Sequence, residues 1–102
     1  MKITTIETFD LRCDIDPSFG WSQGWLDHRM TTLVKISTDD GLVGWGEGGA
    51  SSLIDGLLAP LLIGQDPMQR SGLWERMFHT LYNGNNFVGI AGSALSALDI
   101  AL

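Results

Sequence analysis

Leu33-Val34-Lys35-Ile36-Ser37-Thr38-Asp39-Asp40-Gly41-Leu42-Val43-Gly44-Trp45-Gly46-Glu47 is the stretch that decides the fold. Over 31–38, Thr32, Val34 and Ile36 fall on one face of a strand, with Leu33, Lys35 and Ser37 on the other. Asp39-Asp40-Gly41 is a hairpin turn, because glycine supplies the positive φ such turns need. Residues 42–47 are then the returning strand. Upstream, residues 2–13 read as a further strand in which Phe9, Leu11 and Cys13 alternate with Thr8, Asp10 and Arg12. Ile3 and Ile6 are out of phase with that set, so a bulge is expected near Thr5. The three strands make an antiparallel meander. Cys13, in step with Phe9 and Leu11, is expected to be a small buried hydrophobe.

Residues 14–30 show no clean periodicity and read as a long connection containing Pro17, Gly20 and Gly24 beside Phe19, Trp21, Trp25 and Leu26. Loops of this length inside a domain are uncommon and usually functional, and the aromatics suit a lid that packs on something. After residue 50 the period changes. Ser51 or Ser52 can cap a helix carrying Leu53, Leu57, Leu58 and Leu61, which Pro60 should kink or shorten and Gly64 should end. Asp66-Pro67-Met68-Gln69 has the form of a helix start, with Asp66 as N-cap and Gln69 closing a capping box. Leu73, Trp74, Met77, Phe78, Leu81 and Tyr82 follow at helical spacing, up to the glycine- and asparagine-rich 83–86. Residues 89–102 form an alanine-rich helix, apolar on most sides, with no terminal glycine or cation. Such a helix is expected to belong to a chain that continues, and to leave an apolar patch for other elements to cover. The fold class is therefore α+β, a three-stranded antiparallel meander followed by a helical segment.

With 102 residues the chain suits one domain, and 44% apolar against 18% charged residues is a globular composition. Twelve acids against six scattered bases give a net charge of −6, which argues against a nucleic-acid partner. The most apolar window, 53–63, is too short to span a bilayer and holds Asp55 and Pro60, so no membrane partner is expected. One cysteine and no signal-peptide core point to a soluble cytoplasmic protein.

Complete catalytic constellations are missing. Gly44-Trp45-Gly46-Glu47-Gly48-Gly49 satisfies the dinucleotide-binding spacing, but its strand belongs to an antiparallel hairpin and no βαβ unit follows. The glycines read instead as a close-packed strand end. His79 reads as a helix-face residue, and His28 as either an exposed loop residue or a ligand contact; neither has metal-ligand partners at the right spacing. Glu47 is either a general base or a hydrogen-bonding group at a strand end. Phe19, Trp21 and Trp25 suit loop anchoring and ligand contact alike.

The order of motifs resembles the mandelate racemase/muconate lactonizing enzyme group of the enolase superfamily, in its N-terminal capping domain. The resemblance runs from Lys2-Ile3 to Leu11-Arg12, through 33–47, Leu58-Ala59-Pro60-Leu61-Leu62-Ile63-Gly64-Gln65-Asp66-Pro67 and Leu73-Trp74-Glu75-Arg76-Met77, to 94–102. It implies a cap, 1–102, whose last segment 92–102 leads into a C-terminal (β/α) barrel. In such enzymes the barrel holds Mg²⁺ and the acid/base groups that abstract a proton beside a substrate carboxylate. The cap excludes water and selects the substrate through two loops. By position these are 14–30 and the turn after Glu47, which makes Trp21, Trp25, His28, Arg29, Gly48 and Ser51 the candidate substrate-binding residues. The resemblance assigns no catalytic residue and no metal ligand to this chain. The stretch after Glu47 is shorter than the group's usual length, and the second loop and first helix are accordingly trimmed.

The implied function is part of a Mg²⁺-dependent lyase, a dehydratase of sugar acids, homo-oligomeric when full length and inactive as the isolated fragment. Ser22, Gln23, Asp27, His28 and Arg29 offer polar groups suited to a polyol. The alternatives are a racemase, epimerase or cycloisomerase (isomerases) of the same group, or an inert interaction module pairing through its terminal helix.

Overall fold

The computed structural model describes residues 1–85 and 88–102. β1 (Ile3–Trp21), β2 (Gly24–Thr38) and β3 (Val43–Glu47) form one antiparallel sheet in the order β1-β2-β3. The turn between β2 and β3 is the one the sequence predicts: Gly41 has φ +90° and Thr38 Oγ1 donates to the Asp40 carboxylate. The register shifts between Ile3 and Thr5, which is the expected bulge and returns Ile3 and Ile6 to one face.

That face carries the core. Ile6 pairs with Ile36 and Thr8 with Val34, while Gly44 and Gly46 of β3 pair with the same two β2 residues. Helices cover it: α1 (Ser51–Leu53) and a π-helical segment (Ile54–Leu58) lie against β1, α2 (Ala59–Leu62) continues that segment, and α3 (Arg70–Asn83), after a turn, packs on α2 and on α4 (Ile90–Ala101), which itself lies on β2 and β3. A Cβ on Gly44 would collide with the carbonyl oxygen of Ala101, and one on Gly46 with that of Ala97. Two strand residues and four helix residues both advance about 6–7 Å, so two glycines meet two alanine carbonyls in step. This close approach is why the glycine run exists, and it settles its structural role. Leu73, Met77 and Leu81 of α3 are buried, with Trp74 and Phe78 half-buried, as the helical spacing predicts.

Four expectations are corrected. Residues 14–30 are not a loop: they are the outer halves of β1 and β2, a hairpin arm with its turn at Ser22-Gln23. Both faces of the arm are largely exposed, so no burial imposes a two-residue apolar period on it. The arm gives a radius of gyration of 15.2 Å, against about 13 Å for a compact chain of this length. Next, Phe9, Leu11 and Cys13 lie on the open face of the sheet and Cys13 is exposed, because helices cover the face of Ile6 and Thr8 instead. Asp66 does not cap α3. Its carboxylate accepts from the Met68 amide (2.9 Å) in a preceding turn, and the helix begins at Arg70 with Gln69 as its N-cap residue. Finally, α4 is not left uncovered. Ala91, Ala94, Leu95, Ala97, Leu98 and Ala101 are buried within the domain, and of its large apolar residues only Ile90 and Ile100 are exposed. Gly64, at φ +81°, follows the first helical stretch as expected, and Pro60 sits in the first turn of α2, directly after the π-helical segment, rather than at a break. Proline removes the donor that the Gly56 carbonyl would otherwise receive, and the wider turn precedes it. Of the predicted 83–86 stop, Asn86 lies outside the described residues.

Candidate functional site

The turn leaving β3 is held by contacts from three elements. The Gly48 amide donates to the Thr32 carbonyl (2.9 Å) and the Gly49 amide to Ser93 Oγ of α4 (2.8 Å). Gly48 and Gly49 have φ of +130° and +75°, and a Cβ on Gly49 would strike the Ala94 backbone. Ser51 Oγ then donates to Asp10 Oδ2 (2.8 Å), while Thr32 Oγ1 donates to Asp10 Oδ1 (2.8 Å). These two hydroxyls, Thr32 first, hold the Asp10 carboxyl below its ordinary range, so it is ionised at neutral pH. Its anchoring is complete above the ordinary carboxylate range and is lost only as pH falls through the depressed value.

Asp10, Met30, Thr32, Gly49 and Ser51 line a cleft of 340 Å³ at this end of the sheet. Two of the six predicted substrate residues, Gly48 and Ser51, are thus at or beside one polar recess. His28 is on the same strand face as Met30 and Thr32, about 13 Å along β2 from Thr32. Its Nδ1 lies 2.7 Å from the Asp27 carboxylate, and this contact is the main cause of the lowered pKa of Asp27. Arg29 alternates to the opposite face, where its guanidinium lies 4.8 Å from the centroid of the Phe19 ring. Trp21 and Trp25 are at the tip, each paired with a glycine, Gly24 and Gly20, over which its ring lies. The structure therefore joins Gly48 and Ser51, sets His28 and, at the far tip, Trp21 along the same face, and puts Arg29 and Trp25 on the other.

Asp10, Thr32 and Met30 were missing from the sequence-derived set. The signal for them is the phase of Thr32-Val34-Ile36 carried across the bulge to Ile6-Thr8-Asp10. Glu47 accepts from Thr31 Oγ1 (2.7 Å) on the other face, the hydrogen-bonding role at a strand end. His79 pairs with Glu75 one turn earlier on α3 (3.2 Å).

Among the described residues no three His, Cys, Asp or Glu side chains gather as metal ligands, and both Asp10 oxygens are already engaged by hydroxyls. Mg²⁺ requires several oxygen ligands in octahedral array, so the described residues do not fit it. No helix among the described residues is long and apolar enough to cross a membrane.

Residues 3–102 match the family model described as mandelate racemase / muconate lactonizing enzyme, N-terminal domain. The chain is 38% identical to a D-galactarolactone cycloisomerase from Agrobacterium fabrum, over 100% of this chain and 28% of that protein. It is 39% identical to a D-galactonate dehydratase from Ralstonia nicotianae, over 100% of this chain and 24% of that protein. A racemase from Streptomyces coelicolor solved with bound magnesium superposes with a TM-score of 0.88 at 30% identity, over 97% of this chain and 30% of that one. The chain thus spans about a quarter of the length of the curated relatives it matches.

Proposed function

This chain belongs to the mandelate racemase / muconate lactonizing enzyme family of the enolase superfamily, as its N-terminal domain, and we propose that it caps the substrate site of a longer enzyme. The observation that carries the proposal is the meeting of the turn after β3 with the inner face of the hairpin at one polar cleft. The substrate class is a sugar acid, supported by the polar set Asp10, His28, Thr32 and Ser51 on one side of the sheet and by two relatives whose names carry sugar-acid substrates. Dehydration, by proton abstraction beside the substrate carboxylate, is the first reading. Cycloisomerisation, which the first of those relatives favours, is the second.

The groups that move the proton, and those that hold Mg²⁺ if the enzyme uses it, belong to a barrel that residues 92–102 lead into. The cap's own residues bind and orient the polyol end and exclude water from it. In the full-length enzyme, kcat/KM across a sugar-acid library tests this. Met30→Ala and His28→Ala should each change the preference between two sugar acids by about tenfold. The isolated chain should turn over none of them. If both variants keep the wild-type ranking, the capping role fails.

A further inference from the structure

Asp10 touches no residue of the predicted substrate set except Ser51, yet it joins three separate stretches of the chain. We propose that Asp10 is a positioning residue that latches the turn after β3 onto the base of the hairpin, so that turn and arm meet the substrate as one body.

Three features support the latch. First, it has two rungs of opposite polarity. Ser51 Oγ donates to Asp10 Oδ2, and Thr8 Oγ1 donates to Asp55 Oδ2, each at 2.8 Å. Thr8 and Asp10 are two residues apart on β1, about 6.6 Å, and Ser51 and Asp55 are four apart along a helical stretch, about 6 Å. Strand face and helix face therefore match in spacing, and a shift by one residue on either side would break both rungs together.

Second, the remaining anchors stop short. The amides of Gly48 and Gly49 are tied to Thr32 and Ser93, which fixes the first half of the turn. Ser51 Oγ is the side-chain tie of the second half to the hairpin, and it ends on Asp10.

Third, the chemistry requires an ionised carboxylate or a close mimic. A carboxylate accepts from both hydroxyls at once. An asparagine accepts with its oxygen and donates with its amide, and a rotated hydroxyl can receive that donation. An alanine can do neither. The three side chains thus rank in the order Asp, Asn, Ala as latches, a ranking that bulk alone would not produce.

The functional consequence rests on the capping reading above, so the test carries one readout for each. The full-length protein is compared with Asp10→Ala, Asp10→Asn, Ser51→Ala and the double variant Asp10→Ala/Ser51→Ala. By hydrogen–deuterium exchange, the amides of residues 50–52 should exchange at least about threefold faster in Asp10→Ala and in Ser51→Ala. The double variant should be no faster than either single one, and Asp10→Asn should stay near wild type. With the best substrate of the sugar-acid library, Asp10→Ala should raise KM while kcat is kept, and Asp10→Asn should restore KM. Unchanged exchange in both single variants, or additive effects in the double, overturns the latch. Should Asp10→Ala fail to fold, Ser51→Ala against Asp10→Asn still decides it. Faster exchange with an unchanged KM confirms the latch and overturns the capping reading instead.

Discussion

The inner half of the sheet and its outer half are made of the same two strands under opposite constraints. At the base, Val34 and Ile36 are buried beneath α4, and Gly44 and Gly46 admit that helix so closely that no side chain fits between. In the arm, Trp21 and Trp25 are 51% and 76% exposed, and their rings lie over the glycines across the strand. One region is specified by excluded volume, where interiors packed like crystals resist small changes of shape. The other is specified by pairing and turn geometry, and its side chains answer to whatever docks there.

This contrast can be broken most easily at its packed end. Leu98, fully buried on α4, should cost about 2–5 kcal/mol when replaced by alanine, because the cavity left among backbone-tight neighbours cannot collapse. Chemical denaturation measures it, and a loss near zero would mean that α4 is not the keystone of the base. Gly46→Ala adds a single methyl where the Ala97 carbonyl already sits, and should destabilise by about 1–3 kcal/mol through forced separation of α4 from β3. A neutral result would show that helix and strand part freely, and the idea of excluded-volume specification would go with it. At the other end, Trp25→Ala should alter stability by no more than about 0.5 kcal/mol, since the side chain is mostly in solvent. A loss comparable to that of Leu98→Ala would show that the arm is as much a part of the folding unit as the base.

Legibility in the sequence divides along the same line. The turn at Asp39-Asp40-Gly41 was readable because a positive φ at Gly41 and a threonine hydroxyl on Asp40 are local events. The face of α3 was readable because Leu73, Met77 and Leu81 must share one side of a helix to be buried. The phase of β1 was not, since Phe9, Leu11 and Cys13 make as good an apolar stripe as the one actually covered. With that phase went Asp10, the centre of the polar cleft, which alternation alone assigned to the solvent side. Of the residues picked for the site, Gly48 and Ser51 were reached through their place after β3. His28 and Arg29, adjacent in sequence, could not both face one ligand once their segment proved to be a strand.

Element order, the glycine turns and the periodicity of α3 come from the chain itself, because hydrogen bonding and φ preference act over a few residues. Which face of the sheet became the inside is a different matter. It was decided when α4, some fifty residues further on, laid Ala97 and Ala101 against Gly46 and Gly44. Only that contact, between segments far apart in sequence, turns Asp10 and Thr32 toward Ser51 and leaves Phe9, Leu11 and the whole arm outside.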